Sequence, residues 1–276
     1  MTIDLPRTAL LGVGSMSGAV LDGLLAAGLD PATVTLTTKS EASAAAHRER
    51  GLDATASDTD PDANRSAVRG AALVVVGLKP YMIADLLDEV ADDLEPGAVL
   101  VSVAVGTTTA SMEARVPAGV RVVRALPNTP IGVGHGVTGI SAGTTADAEA
   151  VALASSVFTA SGEVIEVPEA QLDALSAVSG SGPAYVFLLV EQWQRAAEEL
   201  GFTHEQAATM VQGTVRGAVE LLERSGREPA DLRRAVTSPK GTTERAVAVL
   251  QDADLADTLL RASRAAIARA EEIAAS

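Results

Sequence analysis

The sequence predicts an α/β protein: an N-terminal doubly wound parallel sheet over residues 1–166, followed by an all-α C-terminal domain over 167–276. Three observations carry this. Short aliphatic and β-branched runs alternate with longer Ala/Leu-rich stretches up to about residue 166. The runs are almost continuously apolar, as strands covered on both faces are. Beyond residue 168 the strand signals stop and helical patterns take over.

In order, "TALLGV" (8–13), "TVTLTT" (33–38), "ALVVVGL" (72–78), "AVLVSVAV" (98–105) and "VRVVRA" (120–125) read as strands. Helices are expected between them at about 17–28, 40–50, 82–94 and 109–115. "GVTGI" (136–140), the segment from Ala146 to Phe158 and "EVIEV" (163–167) complete the sheet domain. In the second half, residues 184–200 form an apolar-faced helix with Gly201 as its C-cap. Thr203 and Gln206 have capping-box spacing and open a helix toward Arg224. Pro229 suits the first turn of another, and residues 253–274 end as a long helix. The apolar stripe of that helix is wider than one neighbour needs, which points to a second subunit; a self-contained bundle is the other reading.

Composition excludes several functions. With 36 acidic against 21 basic residues the net charge is −15, and aromatics are 2%, so nucleic acid is not an expected partner. The absence of cysteine removes disulfide, zinc-thiolate and thiol-nucleophile chemistry and fits a reducing compartment. No metal site is expected. The opening stretch has no basic start and no run of about 18 apolar residues, so a cytoplasmic protein with no membrane partner is expected.

"LLGVGSMSGA" (10–19) lies between the first strand and the first helix, the context of a Rossmann-type dinucleotide loop. Gly12 permits the turn, and Gly14 lets backbone approach a pyrophosphate held by the helix N-terminus. Gly18 and Ala19 are read as the close helix–sheet contact. The second strand ends "TTKS" (37–40) with no acid before Glu41, which favours a 2′-phosphate and hence NADPH, with NADH weaker. Lys39 is one of three lysines against eighteen arginines, the others being Lys79 and Lys240. Each sits at a strand end or turn, either as a ligand contact or as an ordinary solvated lysine. In "VSGSGPAYVF" (178–187), Ser181 and Gly182 are read as leading into a helix with Pro183 in its first turn. "TSPKGTTERA" (237–246) is read as a second such turn, with Thr242 and Thr243 opening the helix. Two sets of free amides would seat a small carboxylate; the alternative is two well-capped helices.

These residues resemble the pyrroline-5-carboxylate reductase family along essentially the whole chain. The match rests on "GVGSM" (12–16), "LKP" (78–80), "VSVAVG" (101–106), "LPNTP" (126–130), "SGSGPAY" (179–185) and "TSPKGTT" (237–243). The resemblance implies a Rossmann domain, then a helical domain that interleaves with a partner, giving at least a homodimer and in many members a decamer. It implies an NADPH-dependent reduction of a cyclic imino acid, 1-pyrroline-5-carboxylate, to proline, the last step of proline biosynthesis. It assigns the pyrophosphate to Gly12, Gly14, Ser15 and Met16, and the adenosine ribose and its phosphate to Thr38 and Lys39. Further NADPH contacts fall on Asn64, on Gly77, Leu78, Lys79 and Pro80, and on Val103, Ala104 and Val105, with Asn128 near the nicotinamide. Glu169, Ser181, Ser238, Thr242 and Thr243 match positions around the substrate, and Thr243 matches the catalytic hydroxyl near the imine nitrogen. There are departures: Lys240 stands where the family usually has glycine, Tyr81 replaces glutamine or histidine, and Leu126 replaces methionine.

The chemistry asks little of the protein. A protonated imine is already electrophilic, so positioning and one orienting hydroxyl are adequate. His47, His135 and His204 lie in a surface helix, a Gly-rich loop and a capping turn, none paired for carbonyl reduction. A β-hydroxyacid dehydrogenase of similar plan, or a non-catalytic NADP-binding regulator, are the competing readings. The former needs a helical lysine, and the C-terminal half holds one lysine, in a turn.

Overall fold

The computed structural model describes residues 3–274. Its contacts divide the chain into two units: residues up to Ser181 with the segment from Ala265 onward, and Gly182–Arg264.

The first unit is built on eight strands: β1 (Thr8–Leu11), β2 (Val34–Thr38), β3 (Asp53–Ala56), β4 (Leu73–Val76), β5 (Val99–Ser102), β6 (Arg121–Leu126), β7 (Gly136–Ala142) and β8 (Gly162–Glu166). They lie in the order β3-β2-β1-β4-β5-β6-β7-β8. Seven helices belong with them: α1 (Ser15–Ala26), α2 (Glu41–Glu49), α3 (Ala63–Val68), α4 (Pro80–Val90), α5 (Thr109–Glu113), α6 (Ala148–Thr159) and α7 (Glu169–Leu175). Side chains alternate between two apolar layers, as the strand period requires. Leu10, Val75 and Val101 face the layer of Leu21 and Phe158. Leu11, Val74 and Leu100 face the layer of Ile83, Leu87 and Met112.

The doubly wound sheet is as expected, with two differences. The pair β6–β7 is antiparallel, the others parallel. Residues 127–135 hold a short 3-10 turn rather than the crossover helix that a parallel return needs. The edge strand β3 and helix α3 have no counterpart in the sequence reading. "DATA" pairs with one neighbour only, so it needs no continuous β-branched run.

The chain's contacts also divide later than the compositional boundary at 166/167. Helix α7 stays with the sheet because Leu172 and Leu175 pack where a side chain at Gly139 of β7 would otherwise sit.

The second unit comprises α8 (Gly182–Glu199), α9 (His204–Ser225), α10 (Pro229–Ala235), α11 (Thr242–Asp252) and the first half of α12 (Leu255–Ala274). The expected devices are present: the Thr203–Gln206 capping box is complete, Pro229 is in the first turn of α10, and Gly201 has φ +97°. Burial is thin. Ala197, Ala207 and Val211 are buried, whereas Phe187, Leu188, Leu189 and Leu250 are each more than half exposed. A self-contained bundle would cover such a stripe. The run Glu169–Glu199, 31 residues, is also long and apolar enough by length and composition to cross a membrane.

Candidate active site

Of the nucleotide contacts expected from the sequence, residues 103–105 follow β5 and Asn128 follows β6, while residues 12–16, 38–39 and 77–80 lie at the C-terminal ends of β1, β2 and β4, where the strand order reverses between β1 and β4. This is the crevice in which open α/β sheets bind ligands. Gly12 has φ +74°, and a side chain there would collide with Leu78. The amides of Gly12 and Val13 are engaged by Thr37, at 3.1 Å to its hydroxyl and 2.8 Å to its carbonyl. Gly14 precedes α1 with open space around it, and no side chain caps that helix. The first amides of α1, at Ser15 and Met16, therefore begin a helix with no side-chain acceptor, a seat for phosphate.

Ser17, not Gly18, makes the close helix–sheet contact. It is buried beneath Gly77, where any side chain would strike its hydroxyl, while Gly18 has Val13 at 4.0 Å and nothing nearer. The reading of Gly18 is corrected: the small residue needed sits on β4's exit, and Gly77 provides it.

A cleft of about 310 Å³ takes in Gly12, Thr38, Lys39, Asn64 and Leu78, with Ser57, Asp85 and Glu89. Thr38 is buried, its hydroxyl donating to the Ser40 carbonyl at 3.0 Å and its carbonyl accepting the Ser57 N–H at 2.9 Å. Lys39 is exposed and is, among the described residues, the one cation lining the cleft. Asn64 donates to both carboxylate oxygens of Glu89 at 3.3 Å. Ser57 escaped the sequence reading because the β3 edge was not recognised, and Glu89, on the expected helix α4, because nothing local marks a helical acid that turns toward a cleft. Lys79 precedes α4, and Pro80 occupies its first turn. Pro80 lines a separate cavity of about 400 Å³ with Tyr81, Gly106 and Thr107. Val103 donates to the Val76 carbonyl at 3.1 Å, Ala104 is buried, and Val105 is exposed.

Helix α8 begins at Gly182 with Pro183 in its first turn, as expected, but the free amides expected there are not found, because the helix follows directly on another. Helices α7 and α8 are joined by a π turn, Ser176–Gly180, into one run. The Ser181 amide donates to the Ser176 carbonyl at 2.9 Å. The glycines and the proline thus mark a π bulge with the start of α8 directly behind it. The widened turn gives the Ser179 carbonyl a different partner, the Asn128 amide nitrogen at 2.9 Å. Asn128 is buried, and its oxygen accepts the Val137 N–H at 2.8 Å. Its side chain thus brackets β7 and the π turn.

Glu169 also has partners within the fold. Its two oxygens accept the Thr109 N–H at 2.8 Å and the Thr109 hydroxyl at 2.7 Å. Arg124, buried on β6, reaches Glu169 at 3.5 Å and Asp173 at 2.8 Å. Arg124, Thr109 and Asp173 were missed; the signal was an arginine inside an apolar strand, with acids at i and i+4 on a following helix.

In the second unit the other turn is a true helix beginning. Gly241 precedes α11 in an extended conformation, with no side-chain cap, and Thr242 and Thr243 are exposed in the first turn. Lys240 has φ +63°, and its amide donates to Glu244 at 2.9 Å. Ser238 is exposed in the same turn, its carbonyl accepting the Gly241 N–H at 3.0 Å. Of the histidines, His47 has a pKa lowered by burial and by Arg50, and exposed His204 meets Glu198 at 2.6 Å.

Comparison with known proteins extends over the whole chain. Residues 169–273 match the model of the pyrroline-5-carboxylate reductase dimerisation family. Residues 7–106 match that of the coenzyme F420-dependent NADP oxidoreductases. The pyrroline-5-carboxylate reductase of Corynebacterium melassecola is 34% identical over 96% of this chain and 97% of its own. A solved pyrroline-5-carboxylate reductase from Coxiella burnetii is 37% identical, with a TM-score of 0.91 over 98% of this chain and 99% of that one. The Plasmodium falciparum pyrroline carboxylate reductase, solved with NADP bound, shares the fold at 23% identity and a TM-score of 0.84.

Proposed function

The chain belongs to the pyrroline-5-carboxylate reductase family, and we propose that it works as one: an NADPH-dependent oxidoreductase acting on a C=N bond, reducing 1-pyrroline-5-carboxylate to proline. The carrying observation is likeness over both units to reductases of one name. NADPH, when bound, supplies the hydride that goes to the C=N carbon.

The residues present suit that nucleotide. The uncapped start of α1 offers amides of Ser15 and Met16 to the pyrophosphate, with Gly14 leaving room for backbone approach. Lys39 would pair with the 2′-phosphate, while Thr38, Asn64 and Leu78 line the adenosine end. Gly77, Lys79, Pro80 and residues 103–105 would frame the nicotinamide side. For the imino acid, the first amides of α11 would hold the carboxylate, with Ser238 and Ser181 beside the ring. The Thr243 hydroxyl would orient the imine nitrogen and assist its proton. On this reading residues 1–166 serve the nucleotide, and 167–276 serve the substrate and the subunit contact.

The chain works as an oligomer on a small-molecule substrate. A dimer is the minimum assembly, with a decamer as a further stage, and the cytoplasm is the proposed location. The exposed apolar stripe of α8, within the region matching the dimerisation family, is assigned to a second copy rather than to lipid.

Incubation with NADPH and pyrroline-5-carboxylate, followed at the reduced-nicotinamide band, tests the activity. The expected result is loss of absorbance with proline formed in step. Binding of NADPH without turnover would instead favour a regulator, and oxidation of β-hydroxyacids with NADP, without imine reduction, would favour the related dehydrogenases. The six-membered cyclic imine in parallel sets the ring-size preference.

A further inference from the structure

Arg124 is the one charged side chain buried among the described residues, 2% exposed within a strand that is otherwise mostly apolar. Its neighbours across the sheet are Ser102 on β5 and Ser141 on β7, both buried and uncharged. Its charge is met from α7 instead, by Asp173 at 2.8 Å and Glu169 at 3.5 Å. A cation removed from water is tolerated only with such partners.

Glu169 passes the restraint on. Both of its oxygens take hydrogens from Thr109, the first residue of α5, at 2.8 and 2.7 Å. Thr109 directly follows the loop that leaves β5 at Val103. At its other end α7 continues into the π turn, which Asn128 holds through the Ser179 carbonyl. One short helix therefore ties the β5 loop to the segment Ser176–Ser181.

We propose that Arg124, Glu169 and Thr109 are positioning residues for hydride transfer. Arg124 orients Glu169, Glu169 fixes the start of α5, and the loop from Val103 to Thr108 is held at the set distance from the Ser176–Ser181 segment. Glu169 acts through Thr109 and not on the substrate. This inference rests on the reductase reading, since it concerns the geometry of that reaction. Hydride transfer is sensitive to such geometry, because a displacement of about 1 Å costs on the order of 100-fold in rate.

The test begins with wild-type turnover: its absence would remove the reductase reading and this inference with it, whereas normal turnover with silent variants would remove this inference alone. Steady-state kinetics with NADPH and with C4-deuterated NADPH are then measured for Thr109→Val, Thr109→Ser, Glu169→Gln and the Thr109→Val/Glu169→Gln pair. Thr109→Val is expected to lower kcat by about tenfold, with the imino acid KM little changed. The isotope effect on kcat should rise, as an ill-placed hydride donor makes that step limiting. Thr109→Ser should keep wild-type kinetics, and the pair should fall no further than the worse single variant. Should Thr109→Val not fold, the isotope effect of Glu169→Gln decides. A silent Thr109→Val beside a raised imino acid KM in Glu169→Gln would overturn the proposal. So would variants that lose thermal stability alone, with kcat and isotope effect unchanged.

Discussion

Lys240 holds a conformation that side chains disfavour, with φ at +63°. A Cβ in the left-handed region costs about 1–2 kcal/mol, partly offset by the lower chain entropy of any residue other than glycine. Lys240→Gly is therefore expected to raise the unfolding free energy by a few tenths to about 1 kcal/mol in denaturant titrations. A loss would mean that the ammonium group has a partner that this turn depends on. Thr243→Ala should reduce turnover strongly while leaving the thermal transition in place, because the hydroxyl is exposed and nothing in the fold uses it for capping. Unchanged kinetics would remove Thr243 from the mechanism. Lys39→Ala should raise the KM for NADPH more than that for NADH, and equal effects would argue against phosphate reading. At this scale the sequence was informative about exposed turns and poor about buried partners. The glycine loop and the Thr242–Thr243 helix start were legible because glycine, threonine and lysine at strand or helix ends have few structural alternatives. The engagement of Glu169 by Thr109, 60 positions away, was not, since no local pattern marks a long-range hydrogen bond.

Elements in this protein are fastened by side chains that reach across loops. Glu113 closes α5, and its carboxylate holds the turn between β7 and α6, accepting from Thr145 N–H at 2.9 Å and from the Thr144 hydroxyl at 2.8 Å. Burial alone would raise its pKa, but the hydrogen bonds from Thr145 and Thr144 outweigh it and hold the group below the ordinary 4.5. A carboxylate depressed in the folded state stabilises it above the unfolded value, and that contribution is lost as pH falls through the folded one. Glu113→Gln should accordingly melt lower than wild type near neutrality, with the gap closing below about pH 4.5. A gap independent of pH would assign the loss to shape rather than charge. Asn128→Ala should cost about 1–3 kcal/mol by leaving the Ser179 carbonyl and the Val137 N–H unpaired. Most helices were legible here from apolar periodicity and caps, though the short α3 was not. The π turn was not, because "SGSGP" has the composition of a helix start and of a bulge alike. Edge strand β3 lacked the apolar run by which inner strands declare themselves.

For the molecule as a whole, the second unit leaves its apolar stripe uncovered, with Phe187 67% and Leu189 58% exposed. The doubly wound sheet and the helical half were both legible, as was the excess of apolar surface on the helices. The antiparallel return of β7 was not, since strand direction depends on the link that precedes it. Leu189→Glu is expected to shift the protein toward monomer in light scattering and to reduce activity with it. An unaltered mass would place the interface elsewhere, and flotation of wild type with liposomes would assign the stripe to lipid. The most direct test of the whole account follows the hydride itself. With NADPH deuterated at the transferred C4 position and unlabelled pyrroline-5-carboxylate, the proline formed should carry one deuterium at C5. Proline without deuterium, or consumption of NADPH with no proline formed, would contradict it.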